Sequence, residues 1–244
     1  MVYWKLDNSH IMVASLSELQ DNFCFTAKKL PITQPLITPR GNLGQKACRQ
    51  LLRLLQQRLN LADSTVMIAL IETQFPYYFV LNEKKYGVSF SHSREQVAVM
   101  VMSDDSKHLS SRFGIDVEDK LISDKVARRF FSEVEWQWLN GLAIEQKQRA
   151  KTLLWTLKES LIKAQVADKL IEGLKINLLN YLTTTQLTDL LQDTGETFNQ
   201  VIVATAVFGF SPLLNCGFVV IKKEMDNERM TCQAYNTIKY KRPD

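Results

Sequence analysis

No stretch of this chain runs for the roughly eighteen uncharged apolar residues that a membrane span requires. The first residues, Met1 to Asp7, meet a charge before any apolar run develops, so neither a secretory leader nor membrane attachment is expected. Histidine is scarce. His10, His92 and His108 lie far apart, which argues against a zinc site. The four cysteines, Cys24, Cys48, Cys216 and Cys232, show no CxxC or other metal-ligand spacing, and as free thiols they suit a reducing cytoplasm. Charge of one sign is also in short supply. A net charge of +4 suits an acidic partner or a phosphorylated small molecule. The dense Lys/Arg stripe and aromatic platform of a nucleic-acid-binding module are missing, so no nucleic acid is expected.

What is present is an ordinary globular balance, 45% hydrophobic and 23% charged over 244 residues, enough for one large domain or two small ones. Residues 2–6 read as a strand and 16–30 as partly helical, before Pro31, Pro35 and Pro39 break regular structure. An amphipathic helix is predicted over 41–60, then strands at 66–71, 77–81, 88–91 and 97–102. The polar run 103–106 reads as a hinge between halves. Beyond it come a strand at 113–117, a helix at 125–131, and a helix capped by Ser132 with Glu135 three residues later. A core helix follows over 149–167, then a strand at 174–179, a polar stretch over 181–200, and strands at 201–208 and 217–221. From 222 onward the chain reads as a loosely held tail. Each half thus offers an amphipathic helix, a strand, then two strands in hairpin order, which suggests duplication without a sequence repeat.

Two stretches carry chemistry. In Gly114-Ile115-Asp116-Val117-Glu118 the strand period of two puts Asp116 and Glu118 on one face and Ile115 and Val117 on the other. Gly114 would let a bound molecule approach the backbone. In Trp155-Thr156-Leu157-Lys158-Glu159-Ser160-Leu161-Ile162-Lys163, the residues Trp155, Glu159 and Lys163 form a stripe beside the apolar one. Taken alone, alternating carboxylates are ordinarily solvated, and such a stripe reads equally well as a surface ion pair. If Asp116, Glu118 and Glu159 converge, three hard oxygen donors suit Mg²⁺ shared with substrate phosphates, with Lys158 and Lys163 supplying positive charge. Trp136 and Trp138 read as packing.

These two stretches, GxDxE and WxxKESxxK, resemble the paired signature of the 4′-phosphopantetheinyl transferase superfamily. Arg128-Arg129-Phe130-Phe131-Ser132 with Glu135 resembles the segment between them, Ser91-His92-Ser93 the family's SHS element, and Arg40-Gly41-Asn42-Leu43-Gly44 its first-half helix start. Length and the two similar halves match the two-domain class, whose best-known member activates surfactin synthetase.

The resemblance implies an α+β fold: a pseudo-twofold arrangement of two similar α/β subdomains, residues 1–106 and 107–244, with the active site in the cleft between them. The first would hold the nucleotide end of coenzyme A, the second the metal site and catalytic helix. The implied enzyme is a cytoplasmic, monomeric transferase of the holo-[acyl-carrier-protein] synthase type. It moves 4′-phosphopantetheine from coenzyme A to a serine of an apo acyl or peptidyl carrier protein, releasing adenosine 3′,5′-bisphosphate, in fatty-acid, polyketide or nonribosomal peptide biosynthesis. By the same resemblance Asp116, Glu118 and Glu159 would hold Mg²⁺, with Glu159 also the general base. Lys163 would contact the diphosphate and Trp155 support the cleft. Arg40, Ser91, His92 and Lys28 would bind the nucleotide end. One departure stands out: Gln74-Phe75-Pro76 occupies the place of the family's Gly-Lys-Pro, so that lysine is missing unless Lys84 or Lys85 replaces it. The departure motivates the alternative of a non-catalytic relative that binds coenzyme A or a carrier protein.

Overall fold

A computed structural model of the protein describes residues 1–19, 43–59, 68–72, 77–103, 111–166, 170–194 and 198–222. Two antiparallel sheets carry the architecture. The first holds β1 (Val2–Leu6), β2 (Ser9–Ser15), β3 (Tyr77–Leu81), β4 (Lys84–His92) and β5 (Gln96–Ser103) in the order β1-β2-β5-β4-β3. The second holds β6 (Arg112–Val117), β7 (Asn199–Val203), β8 (Ala206–Ser211) and β9 (Cys216–Ile221) in the order β6-β9-β8-β7. Setting β1 aside, both sheets place their first strand beside their fourth, then the third, then the second. A long helix follows the first of these strands in each case, α1 (Leu43–Arg58) after β2 and α4 (Ile144–Lys163) after β6.

Strand alternation distributes the core. On β5, Val97, Val99 and Val101 pack under α1 with Leu51 and Leu55, whereas Ala98, Met100 and Met102 turn to the opposite side. There they meet Phe113, Ile115 and Val117 of β6 and Phe218 and Val220 of β9, so one core lies between the two sheets. The outer face of the second sheet, through Phe208, Phe210 and Val219, packs on Leu153, Leu154, Leu157 and Leu161 of α4. The layers therefore run helix, sheet, sheet, helix. Both faces of β5 are covered, which explains its near-continuous apolar sequence.

Glycine lets α4 lie close on its sheet. A β-carbon on Gly114 would fall 2.1 Å from the Ser160 carbonyl oxygen, and one on Gly217 would fall 2.6 Å from Thr156 Oγ1. The Ser160 hydroxyl donates to the Gly217 carbonyl at 3.0 Å, fixing the register of helix on strand. Gly114 thus admits the helix; its expected role in admitting a bound molecule is corrected.

Other expectations change as well. The helix placed at 149–167 spans Ile144–Lys163 and stops at Ala164, before Gln165 turns left-handed at φ 57°. The strand at 174–179 is instead the end of α5 (Leu170–Leu174) followed by a 3₁₀ turn, Leu178–Asn180. A buried ion pair described below takes the Leu174 and Ile176 carbonyls and the Leu178 amide, and the Lys175 and Ile176 amides close turns onto Glu172 and Gly173, so no partner strand is needed. The run at 201–208 divides into β7 and β8 at Ala204, φ 51°. Within 181–200 lies α6 (Thr184–Leu191), capped by a reciprocal Thr183–Gln186 box. Of the strand at 66–71, only Ile71 pairs, bridging Tyr78, while 66 and 67 lie outside the described residues. Strand β2 falls where the sequence shows no alternating pattern. The helices α2 (Asp124–Phe130) and α3 (Glu133–Asn140) agree with expectation, including the Ser132–Glu135 capping box. Among the described residues no helix is long and apolar enough to cross a membrane.

Candidate active site

A cleft of about 390 Å³ opens where β4, β6 and α4 meet. Its walls are Phe90, Ser91 and His92 from β4, Asp116, Val117 and Glu118 from β6 and its end, and Trp155, Glu159 and Lys163 from α4. Seven residues singled out from sequence therefore come together, drawn from both sheets. Arg40 and Lys28 lie outside the described residues, as do Gln74 to Pro76. Phe90 was missed; it is partly buried, with its ring 6.2 Å from that of Tyr77.

Each position follows from local structure. Phe113, Ile115 and Val117 are committed to the core between the sheets, so the intervening Asp116 turns to the cleft, and Glu118 follows at the strand end. The four-residue steps from Trp155 to Glu159 to Lys163 stack these side chains one turn apart along α4. Trp155 also meets Phe130 edge-on, ring centroids 5.9 Å apart. His92 stands against the start of α1, where a β-carbon on Gly44 would fall 2.6 Å from the imidazole Cγ. The Cys48 thiol of α1 donates to the Ser91 carbonyl at 3.4 Å, closing the floor behind β4. Burial pushes that thiol up to about 12, against the opposing pull of Lys163 and Arg49, so it stays protonated.

The carboxylates are electrostatically coupled. Burial raises the Glu159 pKa to about 7, with Asp116 and Glu118 pushing the same way and Lys163 opposing. Burial also raises Glu118, whose Oε1 accepts from the Lys120 amide at 2.8 Å. Asp116 Oδ1 accepts from Lys163 Nζ and from Ser91 Oγ, both at 2.7 Å, and Lys163 Nζ also donates to the Ile115 carbonyl at 3.0 Å. Among the described residues, three carboxylates therefore share one cleft with one lysine. They do not form a closed cage: among the described residues no three Asp, Glu, His or Cys side chains gather tightly enough to hold a metal by themselves. The donor chemistry still fits a hard divalent cation. Mg²⁺ commonly takes one or two carboxylates and keeps its remaining positions for water and phosphate oxygens.

Lys158 departs from expectation. It is 0% exposed and faces away from the cleft, donating to Glu135 Oε2 at 2.9 Å and to the carbonyls of Phe130, Leu174 and Ile176. Glu135 in turn accepts from the Leu178 and Ser132 amides. This lysine staples α2, α3 and the 170–178 segment to α4 and cannot supply charge to a diphosphate. Lys84 and Lys85 sit at the opposite end of β4 from His92, about 23–26 Å away at the strand rise of roughly 3.3 Å per residue. Lys85 lies over the Tyr78 ring, and neither lysine reaches the cleft.

Compared with known protein families, residues 112–201 match the 4′-phosphopantetheinyl transferase superfamily. No curated protein matches the chain. The matched segment contains Asp116, Glu118, Trp155, Glu159 and Lys163, and leaves the β4 wall of the cleft outside. Residues 112–201 thus resemble a phosphopantetheinyl transferase domain, within an α+β protein.

Proposed function

We propose that the protein transfers 4′-phosphopantetheine from coenzyme A to a serine of an apo acyl or peptidyl carrier protein, with Mg²⁺. We place it in the two-domain class, with residues 1–106 holding the nucleotide end and 107–244 the metal and catalytic helix. The observation that carries this reading is the meeting of Asp116, Glu118, Glu159 and Lys163 with Ser91 and His92 around one cleft. Asp116, Glu118 and Glu159 would hold the cation, which when bound neutralises charge on the diphosphate. Glu159 lies in the same cleft and takes the serine proton. The serine oxygen forms a bond to the phosphorus bearing pantetheine, and the bond from that phosphorus to the bridging oxygen breaks. Adenosine 3′,5′-bisphosphate departs with the electron pair. Lys163 exchanges its bond to Asp116 for a phosphate oxygen, and His92 contacts the nucleotide end from α1's side of the cleft. Trp155 forms the wall beside Glu159.

The test is the intact mass of an apo carrier protein incubated with this protein, coenzyme A and Mg²⁺. The expected result is a gain of one phosphopantetheine arm, absent with chelator and absent with Glu159→Gln or Asp116→Ala. No gain with any of several carrier types, despite coenzyme A binding, would overturn the reading in favour of a non-catalytic binding relative.

A further inference from the structure

Two buried serines occupy places on β4 where a core-facing strand ordinarily carries apolar side chains. Val88 packs under α1 with Tyr86 and Phe90, so Ser89 and Ser91 face the second sheet, where β2 and β5 present Ile11, Val13, Ala98 and Met100. Ser89 is 1% exposed and Ser91 6%. The reason lies in β6, an edge strand of its sheet that is nonetheless buried. Its outward amides and carbonyls must find partners. Ser89 Oγ accepts from the Ile115 amide and Ser91 Oγ from the Val117 amide, each at 3.2 Å. Two hydroxyls two residues apart thus meet two amides two residues apart, in place of a neighbouring strand.

The two serines then diverge. The Val117 amide takes an acceptor site on Ser91 Oγ, and the hydroxyl's one proton goes to Asp116 Oδ1 at 2.7 Å. Ser91 therefore ties the Asp116 carboxylate to the backbone of Asp116's own strand. Lys163 grips the same oxygen from the helix side. Ser89 makes no bond to a carboxylate among the described residues.

We infer that Ser91 is a positioning residue that orients the Asp116 carboxylate for a divalent cation, whereas Ser89 only completes the β6 edge. The inference rests on the proposed metal role of Asp116 and deepens it. Hydrogen-bond partners of a metal-binding side chain typically change affinity by about 10–100-fold when removed.

The test is Mn²⁺ binding to the full chain without coenzyme A or carrier, followed by the electron paramagnetic resonance signal of free Mn²⁺. Ser91→Ala should weaken binding about tenfold, Ser89→Ala by less than about twofold, and Ser91→Thr, which keeps the hydroxyl, should restore it. Each alanine variant orphans one β6 amide, so urea melts should show a loss of stability in both, the larger in Ser91→Ala, which also loses the Asp116 bond. An unchanged Mn²⁺ affinity in Ser91→Ala, or an equal loss in Ser89→Ala, would overturn the inference and leave the metal role standing. Wild-type protein that binds no Mn²⁺ would overturn the metal role and the inference together. Should Ser91→Ala fail to fold, Ser91→Cys, which keeps the shape and weakens the hydrogen bond, is read by the same criteria.

Discussion

Replacing Lys158 by alanine should unfold much of this protein's margin of stability without touching the cleft. The ammonium is fully buried and donates to one carboxylate and three carbonyls. Its removal leaves Glu135, itself 0% exposed, without the one ion-pair partner it has among the described residues. Removing one partner of such a buried pair costs about 3–5 kcal/mol, against a total stability of about 5–15 kcal/mol for a typical domain. The larger part comes from the stranded charge and carbonyls, because an isolated buried ion pair adds little over a well-packed apolar pair. In urea, with a slope of about 2–3 kcal/mol per molar, the midpoint should fall by roughly 1–2.5 M. Lys158→Met should do little better, since it fills space and leaves Glu135 unpaired. The assay is equilibrium urea unfolding followed by tryptophan fluorescence. A loss below about 1 kcal/mol, or a raised KM for coenzyme A at unchanged stability, would refute the argument and return Lys158 to the cleft.

Other perturbations separate packing from chemistry. The Glu159 pKa is raised in the folded state from an ordinary value near 4.5, so the fold binds the extra proton and stability falls as pH climbs from about 4.5 through about 7. Glu159→Gln should therefore be more stable than wild type by about 1–2 kcal/mol at pH 8, after allowance for partial solvent screening, with no gain near pH 4.5. Melts showing the same difference at both pH values would refute this. Gly114→Ala should cost about 3 kcal/mol or more, because its β-carbon meets the Ser160 carbonyl at 2.1 Å and neither backbone yields easily; an unshifted melting temperature would contradict that packing. His92→Ala should raise the coenzyme A KM by about tenfold, the worth of one charge-assisted contact, while kcat changes little. An unchanged KM would remove His92 from the binding surface.

The parts of this architecture legible in sequence are those whose cause is local. Asp116 and Glu118 beside Ile115 and Val117, and Trp155, Glu159 and Lys163 at four-residue steps, follow from strand and helix periods alone. The Ser132–Glu135 box announces α3 by its own chemistry. Lys158 is illegible for the opposite reason. Its neighbours along α4 say nothing of Phe130, Glu135, Leu174 and Ile176, which arrive from elsewhere and bury it. Strand β2 hides because Ile11 to Ala14 are all buried, with both faces covered, so no alternation shows. The β7–β8 turn hides because Ala204, without the glycine or asparagine that marks most left-handed turns, adopts φ 51°. The start of α4 hides because Ala143 gives it no side-chain cap.

These failures share a pattern that bears on the cleft. The family match covers the β6 and α4 walls, where periodicity and motif agree, and leaves out β4. Yet Asp116 is held from both directions: by Lys163 on α4 and by Ser91 on β4. Ser89 and Ser91 bond the edge of β6, the strand that carries Asp116, so the first sheet is tied to that strand at two points. A fragment confined to residues 112–201 would lack those two bonds, along with the apolar cover that Ile11, Val13, Ala98 and Met100 provide. It would also lack β8 and β9, including the Gly217 contact that seats α4. The matched segment therefore contains the acidic chemistry and Lys163 but only part of what orients Asp116, the rest coming from β4 and from the strand that seats α4.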